Sequence, residues 1–254
     1  MRVVSLTCSN TEIVCALGCA ESLVAVDDHS DHPPDVVARL PRVGPDLTPD
    51  LDQVAALRPD LVLASLTVPG HERVVAGLEA RKLPFLAPEP TRLEHVYDDV
   101  RLLARHLGVA DRGERLAAEL ARELCAPPAP ADAPKILVEW WPKPVIAPGR
   151  LSWVTDLLRI AGGANPLAER ACKSTPLSDE EVLALAPDAI VISWCGVPRH
   201  KYRPDVVYRR PAWQSLEALR AGRVFSVPEA YLGRPGPRLV EGVRALREVV
   251  AACR

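Results

Sequence analysis

Two nine-residue stretches, LRPDLVLAS at 57–65 and LAPDAIVIS at 185–193, decide the fold of this 254-residue chain. Each follows an amphipathic segment, LDQVAAL or SDEEVLAL, and consists of a Pro-Asp pair within a turn and then an apolar run. A helix usually ends before the residue that precedes a proline, and a short apolar run after such a turn is typical of a buried strand. Each copy therefore predicts a helix, a turn and a strand, and the offset between the copies is 185 minus 57, or 128 residues.

The similarity between the two halves extends outward from these stretches. TEIVCALGCA at 11–20 matches TDLLRIAGGA at 155–164, and LPFLAPEP at 83–90 matches VFSVPEA at 224–230. A long amphipathic helix is predicted after each of the latter two. Because strands that alternate with helices form parallel sheets covered by helices, we predict an α/β fold of two similar lobes with parallel-type central sheets.

The lobe boundaries follow from the repeat and from a change in composition between its copies. We predict an N-terminal α/β lobe over 1–90, a helical backbone with a Pro-rich connector over 91–134, and a C-terminal α/β lobe over 135–254. Within the middle segment, DRGERLAAELARELC predicts a rigid interlobe helix, and APPAPADAPK predicts an extended, stiff connector.

Composition excludes several classes of function. A net charge of −2 does not favour binding to nucleic acid, and no apolar run is long enough for membrane insertion. Seven cysteines without a regular framework indicate free thiols. The chain starts MRVVSLTC, already a strand pattern, so we expect no signal peptide and, for the sequence as written, a cytoplasmic location. We also expect a monomer.

Aromatic residues concentrate where a ligand of a parallel sheet is expected, beyond the carboxyl ends of the strands. In the C-terminal lobe, such loops contain or adjoin Trp140, Trp141, Trp153, Trp194 and Tyr231, and Arg234 follows closely. Trp and Tyr suit a large, flat, partly apolar ligand, and Arg suits its polar groups. The alternative is that tryptophans such as Trp140 and Trp194 fill the core of their own lobe.

The DDHSDH stretch at 27–32 raises the question of a metal. His29, Asp31 and His32 are the candidate ligands, but Asp and Ser are also ordinary turn residues, and Pro-Pro follows. We predict no metal site there. Ser9 and Glu12 match a capping box, and no histidine is paired with Cys8, so no catalytic group is expected and the chain is interpreted as a binder rather than an enzyme.

These segments together carry a family resemblance. SNTEIVCALG, DDHSDHPPD and LTPDLDQVAALRPDLVLAS resemble the first lobe of substrate-binding proteins of ABC importers. SWVTDLLRIAGGANPLAE and GRVFSVPEAYLGRPGPRLVEGV follow the order of the second lobe. The resemblance is to the helical-backbone subgroup of cobalamin, siderophore and haem binders, and most of all to the cobalamin-binding proteins, through the SDHPP turn and YLGRPGPR.

The resemblance implies a ligand cleft between the two lobes. His32 and Pro33 in the first lobe, and Tyr231 and Arg234 in the second, match positions that line the pocket in the family. It implies cobalamin or another metal-tetrapyrrole-like ligand as cargo, no required cofactor, and an extracytoplasmic location. A ferric-siderophore or haem binding protein is the alternative, and a metal-dependent enzyme or metal sensor using DDHSDH is the alternative of another class.

The resemblance also implies that a surface glutamate on each lobe docks onto the permease of an ABC importer. Glu72 matches the first docking glutamate. The repeat offset places His200 at the corresponding position of the second lobe. This residue lies within PRHKYRPDVVYRR at 198–210, a stretch rich in cationic residues, so the second docking glutamate is missing there.

Overall fold

The computed structural model describes residues 1–125 and 130–254, which form two compact units. The first unit comprises residues 1–90 and 95–120, and the second comprises residues 91–94 and 121–254. These boundaries differ from the predicted separate segment at 91–134, because most of the predicted interlobe helix packs with the first unit. Residues 126–129 of the predicted Pro-rich connector lie outside the described residues.

The first unit is built on a parallel sheet of four strands in the order β2-β1-β3-β4. Its apolar core lies between this sheet and the surrounding helices. The strands are β1 Val3–Ser5, β2 Leu23–Val26, β3 Leu61–Leu63 and β4 Phe85–Leu86. The helices are α1 Cys8–Ala16, α2 Pro34–Val37, α3 Leu51–Ala56 and α4 His71–Ala80, followed by α5 Leu93–His106, which begins in the second unit, and α6 Ala110–Glu123, which ends in it.

The second unit contains two sheets. One is parallel, in the order β10-β9-β5, and the other is antiparallel, in the order β6-β7-β8. The strands are β5 Ile136–Glu139, β6 Trp141–Pro142, β7 Val145–Pro148, β8 Ser174–Leu177, β9 Ala189–Ile192 and β10 Val224–Ser226. The helices are α7 Trp153–Ala161, α8 Asp179–Leu185, α9 Pro204–Tyr208, α10 Glu217–Arg220, α11 Glu229–Leu232 and α12 Leu239–Ala251.

The prediction of an α/β fold with parallel sheets is confirmed in both units. The antiparallel sheet was not predicted, since the segment after β5 was interpreted as a loop. It forms a hairpin in which Trp141 pairs with Ile146, and the second strand of that hairpin pairs with β8. The ligand cleft expected between the lobes stays a prediction.

The repeated nonamers form the predicted helix, turn and strand in both units. Strand β3 lies between β1 and β4, and β9 lies between β10 and β5. In each copy the residue before the proline adopts a left-handed conformation, with φ of 47° at Arg58 and 45° at Ala186. Such a φ is uncommon outside glycine, and it reverses the chain so that the proline, buried in both copies, leads into the strand.

The aspartate of each nonamer explains why Pro-Asp occurs in both. Asp60 Oδ2 accepts the backbone N–H of Arg2 at 2.6 Å, and the N–H of Asp60 donates to the carbonyl of Arg2 at 2.8 Å. Asp188 makes the same two contacts with Lys135, at 2.7 and 2.8 Å. Arg2 immediately precedes β1, and Lys135 immediately precedes β5. The aspartate therefore holds the start of one parallel strand beside the start of the next.

We therefore expect Asp188→Ala to lower the free energy of unfolding by about 1 kcal/mol, since it removes a hydrogen bond to a charged acceptor at a partly exposed site. Chemical denaturation followed by circular dichroism measures this change. Asp205→Ala is the matched control, because the contact of Asp205 is an exposed pair with Arg209 four residues later. Equal stability of the two variants would contradict a structural role for the Asp188 contact.

The same S-x-x-E pattern occurs near two helix starts, with different outcomes. Ser178 forms a complete capping box with Glu181 at the start of α8. The box predicted at Ser9 and Glu12 is wrong, because α1 begins at Cys8 and both residues lie buried inside the helix. The pattern of residue types is the same in the two places, and only the packing of α1 against its sheet distinguishes them.

Asp99 on α5 gives the first unit a dependence on pH. Burial, with a smaller contribution from Asp98, raises the pKa of Asp99 to about 7. The folded state therefore holds a proton that the unfolded chain has released between about pH 4 and pH 7. Stability that is present at low pH is lost as the pH rises through this window.

We expect Asp99→Asn to remove most of this loss, because the amide stays neutral. The variant should exceed the parent protein in unfolding free energy by on the order of 2 kcal/mol at pH 8 and match it near pH 4. Thermal melts across this pH range, with the exposed Asp132→Asn as control, test the expectation. A stability difference that does not change with pH would contradict it.

No helix among the described residues combines the length and apolar character needed to cross a membrane.

Candidate functional site

The carboxyl ends of β5 and β9 bring two predicted tryptophans together in the second unit. Because the strands are parallel, their ends meet at one edge of the sheet, where the N–H of Ser193 donates to Glu139 O at 2.9 Å. The N–H of Cys195 then donates to Trp140 O at 3.1 Å. Trp140 and Trp194 are thus the residues with which two adjacent strands leave the sheet.

Trp140 stacks obliquely on Trp153, with ring centroids 6.4 Å apart and an angle of 38° between the rings. Trp153 is buried, and its indole N–H donates to Leu232 O at 2.8 Å. Trp140 is half-buried, and among the described residues no acceptor faces its Nε1, which is itself buried. An unpartnered buried donor is costly, so this indole is suited to acquiring a partner on rearrangement or ligand binding.

Trp141 is the most exposed of the predicted aromatic residues, with 42% of its surface accessible. It lies at the start of the antiparallel hairpin, and its Nε1 donates to Lys143 O at 3.1 Å. The hydrogen bond fixes the orientation of the indole while much of its ring surface stays available for contact.

Trp194 belongs to the core of the second unit. It is 5% exposed, its Nε1 donates to Glu139 Oε1 at 2.9 Å, and its ring lies 5.7 Å from that of Tyr202. This burial agrees with the alternative prediction that Trp194 fills the core of its own lobe. Since Trp153 is equally buried, direct contact of either residue with a ligand stays a prediction, whereas Trp140 and Trp141 present accessible surface.

Glu139, the last residue of β5, is a fully buried carboxylate that the sequence interpretation missed. Arg210 binds it with both terminal nitrogens, Nη1 to Oε2 at 2.6 Å and Nη2 to Oε1 at 2.9 Å. The guanidinium also lies 4.1 Å from the centroid of the Trp213 ring. This bidentate pair neutralises a charge that would otherwise be costly to bury, and it fixes the segment after β9 onto the end of β5.

We expect Arg210→Met to lower the unfolding free energy by about 3–5 kcal/mol, because it leaves the Glu139 carboxylate buried and unpaired. The adjacent Arg209→Met is the control and should change it by less than about 0.5 kcal/mol, since Arg209 is exposed and its pair with Asp205 is a surface contact. Adding Glu139→Gln to Arg210→Met should restore part of the loss. Urea denaturation of the three variants measures these differences, and equal effects at the two arginines would contradict the assignment.

Two of the predicted ligand-binding residues lie close together in the sequence after β10. Tyr231 is within α11, and Arg234 follows that helix. Arg234 Nε binds Glu229 Oε2 at 3.0 Å, and both side chains are largely buried. Arg238 lies 5.9 Å from the centroid of the Tyr231 ring. Tyr231 and Arg234 are half-buried, so both keep surface that a ligand could reach.

In the first unit, the predicted pocket residues His32 and Pro33 are half-buried and directly precede α2. Asp31 and His29 are exposed. Within residues 1–125 and 130–254, no group of three or more His, Cys, Asp or Glu side chains is arranged to hold a metal ion. Part of DDHSDH instead forms a turn, in which the buried Asp27 side chain accepts the Ser30 hydroxyl and the N–H of His29.

A second contact of this turn leads to the start of α4. His71 is buried, and its Nε2 lies 3.3 Å from Asp46 Oδ2, while His29 Nε2 lies 3.8 Å from Asp46 Oδ1. Burial opposes ionisation of Asp46, but its hydrogen bond and charge interaction with His71 outweigh this and lower its pKa. The contact fixes the first turn of α4, where the predicted docking residue Glu72 is exposed and accepts the N–H of Gly70 at 2.8 Å.

Comparison with known proteins places these features in a family context. A family model described as periplasmic binding protein matches residues 3–231. The vitamin B12-binding protein of Vibrio cholerae serotype O1 is 26% identical over 247 residues, which cover 95% of this chain and 86% of that protein.

Two further relatives match over nearly the whole chain. An uncharacterized ABC transporter substrate-binding lipoprotein, YvrC of Bacillus subtilis (strain 168), is 27% identical over 258 residues, covering 98% of this chain and 79% of the relative. The solved structure of the periplasmic haem-binding protein RhuT from Roseiflexus sp. RS-1 in apo form is 28% identical, with a TM-score of 0.83, and the match covers 100% of this chain and 99% of that one.

Proposed function

The chain belongs to the periplasmic binding protein family, and from that premise we propose that it binds cobalamin or a related corrinoid as the substrate-binding component of an ABC-type uptake system. On this proposal the chain is a binder with no catalytic step, and its cargo is a metal-tetrapyrrole-like molecule. Its place of action is extracytoplasmic, as in the relatives named periplasmic or lipoprotein.

One observation carries the proposal: aromatic side chains with accessible ring surface stand at the strand ends of the second unit. Trp140 and Trp141 follow β5 directly, and Tyr231 lies in α11, the short helix after β10. Flat aromatic surfaces with fixed orientations bury large apolar area at little cost in conformational entropy. A corrin ring has such a flat, apolar body, which suits the accessible ring surfaces of Trp140 and Trp141.

Haem is the second candidate, and it is favoured by a specific group of cations. Arg234 and Arg238 lie between α11, which contains Tyr231, and α12, and Arg234 is held in place by Glu229. A haem carries propionate carboxylates, which arginine binds more strongly than it binds neutral amides. The relative from Roseiflexus, which is named for haem, supports this candidate as the Vibrio relative supports cobalamin.

Titration of the purified protein with cyanocobalamin and, separately, with haemin distinguishes these candidates. We expect a saturable change in the corrin absorption spectrum, quenching of tryptophan fluorescence, and a rise in melting temperature larger with cobalamin than with haemin. A larger thermal shift with haemin would favour the second candidate. No saturable change with either ligand would contradict the proposal.

We expect Trp141→Ala to weaken ligand binding about tenfold, equivalent to about 1.4 kcal/mol, while the free energy of unfolding changes less, because Trp141 is 42% exposed and lies outside the buried core. Leu47→Ala is the control, since Leu47 has similar exposure, 41%, and lies in the first unit outside the predicted site. Isothermal titration measures both affinities. An unchanged affinity in the Trp141 variant would remove this residue from the site.

A further inference from the structure

Trp141 stands on a strand that has little support of its own. In the order β6-β7-β8, β7 pairs with β8 along its whole length, whereas β6 is a two-residue strand at the edge. It pairs with β7 through Trp141 and Pro142, and a proline has no N–H to donate to a neighbouring strand. Because so short a pairing is marginal by itself, the orientation of Trp141 depends on further contacts to β6.

Arg210 supplies such a contact from a distant part of the second unit. Its Nη2 donates to the carbonyl of Pro142, the residue directly after Trp141, at 3.4 Å. The same nitrogen donates to Glu139 Oε1 at 2.9 Å, so one guanidinium joins the last residue of β5 to the edge strand that follows it. The Arg210 side chain is only 14% exposed, which limits competition from water for these acceptors.

The guanidinium is itself held in one orientation. Besides its two hydrogen bonds to Glu139, it lies 4.1 Å from the centroid of the Trp213 ring. Trp213 is fully buried, and its Nε1 donates to Asp179 Oδ1 at 2.6 Å, at the start of α8. A planar fork held by a carboxylate and an aromatic ring is pre-organised, so its contact with Pro142 costs little further ordering.

We propose that Arg210 is a positioning residue for the ligand site: it holds β6 against the end of β5 and thereby fixes the orientation in which Trp141 meets the ligand. The proposal rests on the ligand-binding role proposed above. Arg210 acts through Trp141, because a ring that is already oriented loses less conformational entropy when a flat ligand packs on it. Lysine keeps the charge but lacks the rigid fork, so it cannot hold Glu139 and Pro142 together in the same way.

The first test needs no ligand. The chain contains five tryptophans, and the indole N–H signals of ¹⁵N-labelled protein report on each of them. The signal missing from Trp141→Ala identifies that of Trp141. We expect Arg210→Lys to shift this signal and to speed its hydrogen exchange by about threefold or more, since an edge strand that loses a contact opens locally.

Two controls separate positioning from general effects. Arg209→Lys makes the same exchange of residue types at the adjacent exposed arginine and should leave the Trp141 signal unchanged. Asp188→Ala should destabilise the second unit at the opposite edge of the sheet, and it should also leave this signal unchanged. Should Arg210→Lys fail to fold by circular dichroism, Arg210→Met/Glu139→Gln takes its place, because it buries no unpaired charge and also lacks the donor to Pro142.

The second test is a double-mutant cycle on ligand affinity. Isothermal titration with cyanocobalamin and, separately, with haemin compares the parent protein, Arg210→Lys, Trp141→Ala and the double variant. Because residues that act through one another are not additive, we expect Arg210→Lys to weaken binding about fivefold in the parent and less than about twofold in the Trp141→Ala background. Asp188→Ala and Arg209→Lys should bind as the parent does.

Several results would overturn the positioning role. An unchanged Trp141 signal in the Arg210 variant would refute it whether or not a ligand binds. An equal loss of affinity with and without Trp141 would show that Arg210 acts independently of that ring. A similar loss in Asp188→Ala would assign the effect to stability. Failure of the parent protein to bind either probe would contradict the proposed function instead, and the indole spectrum would still decide whether Arg210 orients Trp141.

Discussion

A carboxylate at the start of a central strand is the contact on which the rest of each unit depends. Asp60 and Asp188 each accept the N–H, and donate their own N–H to the carbonyl, of one residue at the start of the neighbouring strand. Parallel strands have no tight hairpin to set their register, so a contact of this kind must fix where one strand begins beside the other. Once the beginnings are fixed, the carboxyl ends of the strands also coincide, and the loops that leave them share one edge of the sheet.

The two units differ at that edge through what each strand does with its last residues. In the second unit, β5 ends on the buried Glu139, whose charge requires a bidentate arginine and an indole donor. The same carboxylate therefore orients Trp194 and fixes the segment that contains Tyr202. In the first unit the strand ends carry polar turns, and the contact between His71 and Asp46 fixes the first turn of α4. A common scaffold thus supports an aromatic edge in one unit and a polar edge in the other.

Membership of the periplasmic binding protein family agrees with two units that share a scaffold and differ in their strand-end loops. The scaffold is defined by buried apolar strands and the Pro-Asp turn. The strand-end loops carry the tryptophans and arginines on which the proposed ligand contacts rest. Glu72 in the first unit and Arg199 beside His200 in the second are exposed side chains of opposite charge.

The alternation of helices and strands, the duplication and the parallel sheets could all be predicted from the sequence, because they depend on local periodicity and on proline. The sequence also placed the aromatic residues at strand ends, since that position follows from strand direction. It did not distinguish the exposed Trp141 from the buried Trp194, nor the working capping box at Ser178 from the false one at Ser9. It gave no sign that Arg210 would bind Glu139, 71 residues earlier, or that the segment after β5 would form a hairpin. These features became visible in the folded chain, because burial and long-range pairing depend on which elements pack together and not on the neighbours along the chain.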